Sequence, residues 1–453
     1  MALAVGQEII VDVLSTGANG EGVGRYDNLT VFVKGGIDGE RVKAKITKVA
    51  PTFLLAKMTE VIVSSPHRVK PICKNFGNCA GCDLLHMTYE HTLSVKQKIV
   101  YDTLKHVGGI DTVVSPTVPS TPHTRYRNKV ALPVAVSSQG KTLIGFYREK
   151  SHQIVPTTDC VLQGEWIVDI IDSVRGMCDR HPDFREVLRH VVVRETGDKL
   201  MVTFVLKRGE LPDIEQFVYR NPKVSSIYIS YNRRDTNVIL GDELVKVYGE
   251  DRLSATTLGV EYTLSPYSFA QINDNVRDMI YSAVLDNIST DDIVIDAYSG
   301  AGLMTTILAS KAREVYGIEI IPSAVRDADE VARANGVSHK VTNIEGDCAK
   351  ELPLLVDNLM RRRDIKDISI VLDPPRKGCD ESVLEAVLRA NPTRIIYVSC
   401  NPATLARDLK VLTPHYDITS VTPYDMFPYT KHVETLVVLS QKKPDGYISV
   451  NVW

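Results

Sequence analysis

The residues able to do chemistry gather in the last third of the chain, each at the end of an apolar run. Cys400 follows Arg394-Ile395-Ile396-Tyr397-Val398-Ser399, a strand pattern, and Asn401-Pro402 forces the chain out of it. A thiol delivered to a turn is placed as a nucleophile; a buried structural cysteine is the plain alternative. Asp373 ends a second apolar run, and Pro374-Pro375 makes a rigid turn after it. Asp-Pro-Pro followed by an aromatic would suit methylation of a base amino group, the ring stacking on the base, but Arg376 stands in the aromatic's place. Glu434, beside His432, lies near the start of a last strand. A carboxylate there can act as a general base, or be a strand-edge charge and nothing more.

A cofactor pattern precedes these residues. The strand ending at Asp296 runs into Ala297-Tyr298-Ser299-Gly300-Ala301-Gly302 and then a helix. Glycines let backbone pass close to a ligand, yet this turn is too short to cradle a pyrophosphate. Glu319 ends the next strand, placed to accept both ribose hydroxyls of a nucleoside, and Asp347 follows the third, where an adenine edge would lie. The series fits S-adenosylmethionine, a nucleoside without a pyrophosphate; a glycine turn with solvated acids is the alternative.

The chain has eight cysteines, and Cys73, Cys79 and Cys82 fall within ten residues. In a reducing cytosol they are not structural disulfides, and the cluster suggests a metal or iron–sulfur site that Cys160 could complete. Zinc would be an ordinary occupant, although zinc knuckles begin with a shorter first gap.

These side chains need elements to hold them. From about residue 265 strands alternate with helical stretches, which predicts a doubly wound, Rossmann-like α/β domain over residues 261–453. Residues 1–62 read as short strands separated by glycine turns, a small OB-like β-barrel. Residues 63–260 form a β-rich central domain that holds the cysteines, with one or two helices expected between 112 and about 260. Within it a helix over 89–107 carries apolar Leu93, Ile99, Val100 and Leu104 and polar Lys96 and Lys98, and is expected against the C-terminal domain. Three domains agree with 453 residues. No apolar run is long enough to span a membrane, and the N-terminus lacks a basic signal region, so a cytoplasmic monomer is expected.

With 53 Lys+Arg against 56 Asp+Glu, the net charge of −3 argues against a uniformly basic nucleic-acid binder. Local patches speak otherwise. Arg125, Arg127 and Lys129 interleave with Tyr126, and Arg41, Lys43, Lys45 and Lys48 fall in one stretch of the barrel; such patches bind phosphate and stack bases, or are simply solvated faces. Arg361-Arg362-Arg363 is expected in a solvated loop.

The segments Ser268–Asn273, Asp296–Gly302, Asp373-Pro374-Pro375-Arg376-Lys377-Gly378, Ser399-Cys400-Asn401-Pro402 and His432-Val433-Glu434 together resemble the RNA uracil-C5 methyltransferase family. The resemblance covers essentially the whole chain, the barrel looking like a TRAM domain. It implies Cys400 as nucleophile and Glu434 as the base that removes the C5 proton. It further implies Gln271, Tyr298, Gly300, Glu319, Asp347 and Asp373 as cofactor- and base-contacting positions. Cys73, Cys79, Cys82 and Cys160 resemble the ligands of that family's [4Fe-4S] cluster. Barrel and cluster together point to the branch acting on 23S ribosomal RNA. The alternatives are a transfer RNA uracil methylator, an amino-group methylator, which Arg376 and Cys400 disfavour, and a non-catalytic ribosome-assembly factor, which Cys400 and Glu434 disfavour.

Overall fold

A computed structural model of the chain describes residues 3–234, 236–365 and 367–442. They fall into two compact units, one of Met1–Ile99, Thr117–Asp278 and Asp425–His432, the other of Val100–Pro116, Met279–Tyr424 and Val433–Trp453.

The second unit is built on a seven-stranded sheet. Its strands lie in the order Val341–Glu345, Glu314–Glu319, Ile293–Ala297, Ile368–Leu372, Arg394–Ser399, Glu434–Gln441, Tyr416–Tyr424. The first five are parallel and the last two antiparallel to their neighbours. Ile293–Ala297 and Ile368–Leu372 are buried along their whole length, as expected for central parallel strands covered on both faces. Helices Leu303–Ala309, Pro322–Ala334, Cys348–Leu359, Glu381–Ala390 and Pro402–Leu412 supply the cover. Val100 and Leu104 are buried in this unit's core. The strand order reverses between Ile293–Ala297 and Ile368–Leu372, and ligands of such sheets collect at the carboxyl ends beside that reversal.

The first unit contains the barrel and the central sheet. Strands Glu8–Thr16, Gly22–Tyr26, Leu29–Lys34, Arg41–Val49 and Phe53–Val63 close the barrel. Alternate residues, Ile9, Val11, Val13, Val31, Val33, Val42, Ala44 and Ile46, fill it. The central sheet has seven strands, from Glu243–Gly249 at one edge to Ile154–Pro156 at the other. Three helices, Ile167–Arg180, Pro182–Val187 and Ile214–Arg220, pack on it through residues such as Ile170, Val174, Phe184 and Phe217, one more helix than the sequence pattern predicts. Among the described residues, no helix is long and apolar enough to cross a membrane.

Lys96, one of the polar residues of the Tyr89–Thr103 helix, is fully buried, paired with the equally buried Asp425 and donating to the Phe427 carbonyl at 2.9 Å. Tyr89 donates to the same carboxylate at 2.8 Å. A buried ion pair is costly to form, but removing one partner strands the other charge away from water. Lys96→Met is therefore expected to lower stability by about 3–5 kcal/mol, and adding Asp425→Asn to recover part of the loss. Urea denaturation checks this, and a Lys96→Met midpoint equal to the parent's would refute it.

Candidate active site

Strand register brings the proposed nucleophile and base together. Arg394–Ser399 pairs antiparallel with Glu434–Gln441, and Ser399 faces Thr435. Continued by one residue, the same register sets Cys400 opposite Glu434. Parallel pairing of Ile293–Ala297 with Ile368–Leu372 matches Ala297 with Leu372, which brings Asp296 and Asp373 to the same end of the sheet.

The electrostatics of this end are unusual. Glu434 is only 4% exposed, and burial, reinforced by Asp373 and opposed by Arg376, pushes its carboxyl up to about 8. Burial pushes Asp373 up to about 7. It does the same to Asp296, with the Thr305 hydroxyl at 2.6 Å opposing the rise and Asp373 and Glu319 adding to it. The half-buried Cys400 thiol is raised first by burial and then by Glu434 and Asp373, while Arg376 lowers it. Near neutral pH the site can hold a thiol, a carboxyl titrating at about 8 and one nearby cation, the equipment for adding sulfur to an electron-poor ring and, through the ionised fraction of the carboxyl, taking up a proton.

The cofactor turn lies beside it. Tyr298, Gly300 and Gly302 all have positive φ, at 70°, 55° and 75°. A side chain at Gly302 would meet the Ala328 Cβ at 2.5 Å. Glu319 shapes the turn, accepting from the Gly300 amide at 3.0 Å and the Ile321 amide at 2.8 Å. Ile320 and Ile321 follow it with 60% and 54% of their surface exposed, an apolar face suited to covering by an adenine ring. Asp347 caps the Cys348–Leu359 helix, one carboxylate oxygen accepting the Ala349 amide at 3.0 Å. A glycine turn, a ribose-accepting carboxylate, an apolar pair and a further carboxylate in sequence fit S-adenosylmethionine. The half-buried Tyr298 ring packs against the core with Cys348 and Cys379 beside its hydroxyl. Gln271 belongs to the first unit, where its carbonyl accepts from the Asn128 amide group at 3.0 Å.

The four grouped cysteines also lie in the first unit. Cys73, Cys79, Cys82 and Cys160 line one cavity of about 60 Å³ with Phe76, Leu85 and Arg127. All four are free thiols. Burial raises Cys82 and Cys160, and each is raised further by the other cluster thiols near it, Cys160 and Cys79 for Cys82 and Cys79 for Cys160, while Arg127 opposes both rises. Among the described residues no three His, Cys, Asp or Glu side chains form a site for a single metal ion. Four thiols around one cavity, with a guanidinium among them, suit a larger, negatively charged group.

Two of the expected RNA contacts also have partners within the chain. Arg125 makes a two-pronged pair with Asp159, at 2.6 and 2.8 Å, and donates to the Cys160 carbonyl at 2.9 Å, so it braces the loop that carries Cys160. Arg127 lines the thiol cavity and donates to the Tyr126 hydroxyl at 3.3 Å. Cation and aromatic spacing resembles an RNA patch but equally suits a braced interior. Lys129 keeps a different character: its register partner is Arg194, and burial plus that neighbouring charge lower its amine to about 8. Arg362 is likewise no free loop cation, since it grips Glu314 at 2.7 and 2.8 Å. Asp296 as a buried acid, its Thr305 partner and the role of Arg376 escape sequence reasoning, because no spacing rule links them.

Residues 88–442 match the family described as tRNA (Uracil-5-)-methyltransferase, and residues 2–59 match the TRAM domain. An uncharacterised RNA methyltransferase of Halalkalibacterium halodurans is 39% identical, covering 94% of this chain and 95% of its own. One of Clostridium tetani is 36% identical over the same shares. The crystal structure of the Pyrococcus abyssi tRNA (uracil-54, C5)-methyltransferase with S-adenosyl-L-homocysteine superposes with a TM-score of 0.75 at 26% identity, covering 95% of this chain and all of that one. The chain therefore belongs to the tRNA (uracil-5-)-methyltransferase family, as an S-adenosylmethionine-dependent RNA methyltransferase with an N-terminal TRAM domain.

Proposed function

We propose that the protein methylates C5 of uridine in 23S ribosomal RNA through a covalent adduct between Cys400 and C6 of the base. The observation that carries this is the antiparallel pairing of Ser399 with Thr435, which puts Cys400 and Glu434 one residue beyond it on adjacent strands, with Arg376 within electrostatic range of both. S-adenosylmethionine, when bound, supplies an electrophilic methyl group. Gly300, Glu319, Asp347 and Asp373 would hold the cofactor or the base. The target uridine leaves its stack to reach the sheet's edge. Cys400 loses its proton to solvent, favoured by Arg376, and its sulfur bonds to C6. The C5–C6 electron pair moves toward O4 and returns through C5 to form a bond to the methyl carbon, whose bond to the sulfonium would break with its electron pair left on the departing thioether sulfur. Glu434 then removes the C5 proton, the C5–H pair restores the ring double bond, and the C6–sulfur bond breaks to release Cys400.

The ribosomal target rests on the resemblance: a TRAM barrel with a four-cysteine set. We assign the cavity thiols Cys73, Cys79, Cys82 and Cys160 to a [4Fe-4S] cluster of structural role, because uracil methylation moves no single electrons. Residues 1–62 would bind RNA, 63–260 hold the cluster and 261–453 catalyse. Lys129, a half-buried cation beside another cation, is the contact proposed for an RNA phosphate. A transfer RNA uridine is the second reading, favoured by full-length likeness to the Pyrococcus abyssi enzyme.

With 5-fluorouridine-substituted RNA the parent should form a covalent complex and Cys400→Ala none; 23S fragments and tRNA transcripts assayed in parallel choose the substrate. Absence of a complex with either RNA overturns the mechanism. Glu434→Gln should methylate but stall before release, leaving an adduct visible on a denaturing gel. Anaerobically purified protein should be brown and contain iron, and Cys73→Ser should lose both.

A carboxyl raised in the folded state stabilises fully below its unfolded value of 4.5, and that contribution is lost as pH rises through its folded value, here about 8 for Glu434. Melting temperature should therefore fall between pH 5 and 8, and Glu434→Gln should raise it by about 3 °C at the upper end and leave it unchanged at the lower. Parallel curves for the two proteins would exclude the buried-acid assignment.

A further inference from the structure

The loop that carries Arg376 is tied to the helix that follows the nucleophile. That helix, Pro402–Leu412, is capped by Asn401, whose side-chain oxygen accepts the Ala403 amide at 3.1 Å. The Asn401 side-chain amide donates to the Arg376 carbonyl at 3.0 Å. One turn further on, Arg407 donates to the Lys377 carbonyl at 3.1 Å and the Cys379 carbonyl at 3.0 Å. Asp408, with no exposed surface, accepts the Cys379 amide at 2.8 Å and the Tyr397 hydroxyl at 2.6 Å, and Arg407 binds its second oxygen at 2.7 Å. Gly378 makes the fit possible: its φ is 78°, and a side chain there would come within 2.5 Å of the Arg407 guanidinium and 2.7 Å of the Asp408 carboxylate. Every carbonyl from Arg376 to Cys379 that these groups reach is thus fixed to an element beginning one residue after Cys400.

A carboxylate buried this completely needs a reason, because each of its hydrogen bonds must offset a large desolvation cost. Nothing in the chemistry proposed above requires Asp408. What it holds is the backbone that presents the cation nearest the thiol. We propose that Asp408 and Arg407 are positioning residues, which clamp the Arg376–Cys379 loop so that the Arg376 charge stands in range of Cys400. The proposal rests on Cys400 being the nucleophile.

The groups that face the Cys400 thiol are Glu434 from the last strand and Asp373 and Arg376 from the loop after Ile368–Leu372. Two are acids that disfavour the thiolate, so a small retreat of Arg376 removes the opposing charge. Coulombic energy falls with distance, and a shift of one unit in a thiol's titration is a tenfold change in thiolate fraction.

The test is alkylation of Cys400 by iodoacetamide across pH, followed on its own peptide by mass spectrometry so that the other thiols do not interfere. Arg407→Met is the main variant, since its side chain is 54% exposed and the fold should tolerate it. Its Cys400 titration should move up by about one unit, with kcat about tenfold lower and KM for S-adenosylmethionine unchanged. Arg407→Lys, which keeps a donor, should recover most of both, and Asp408→Asn should shift the titration in the same direction as Arg407→Met. A fall in kcat with an unmoved alkylation profile would make the clamp merely structural and overturn the proposal. If instead full alkylation of Cys400 in the parent leaves methylation intact, the nucleophile assignment itself fails.

Discussion

The antiparallel pairing of Arg394–Ser399 with Glu434–Gln441 is the constraint on which the site depends. A purely parallel sheet would leave Glu434 at the opposite end from Cys400, because parallel strands all point their carboxyl ends one way. Reversing the last strand brings its beginning to the carboxyl end of Arg394–Ser399. Register matters as much as direction: side chains alternate between faces, so a slip of one residue would send Glu434 to the other face of the sheet. The flanking strand Tyr416–Tyr424 pairs through Tyr424 with Glu434 and so holds the register from the far side.

Collecting Asp296, Asp373 and Glu434 at one buried edge has an electrostatic consequence. Each is held in its protonated form to higher pH than an exposed acid, chiefly by burial, and Glu434 and Asp296 also by the acids around them. Arg376 opposes this for Glu434 and for the Cys400 thiol alike. In an amino-group methylator an aromatic residue here would serve stacking. Replacing it by a cation trades a ring for charge, and that trade suits a reaction which begins with a thiolate and ends with a carboxylate taking up a proton.

The alternation of strand and helix after residue 265, the closed barrel and the strand-end positions of Glu319, Asp347, Asp373, Cys400 and Glu434 were legible in sequence, because hydrophobic periodicity reports burial directly. The burial of Lys96 was not legible, because its partner Asp425 lies far along the chain. The partners of Arg125 and Arg127 were not legible, because a cation beside an aromatic looks the same whether it meets RNA or braces a neighbouring loop. Arg407 and Asp408 carried no signal, since their partners are backbone atoms of a distant loop.

The eight cysteines illustrate how environment rather than residue type decides chemistry. Burial raises the thiol of Cys178, Cys348 and Cys379 to about 12, and no cation offsets it enough to make a thiolate accessible. Those three are packing residues, Cys379 also donating weakly to the Tyr397 hydroxyl at 3.6 Å. Cys79, Cys82 and Cys160 are raised by burial and by thiols of their own group, a condition that is relieved when a metal centre takes the place of the protons. Cys400 alone among the eight combines partial exposure, a nearby cation and a carboxyl opposite it. A nucleophile, the part proposed for Cys400, must give up its proton and still be reachable, and of these thiols that combination occurs where the register of the last strand has set a carboxyl beside it.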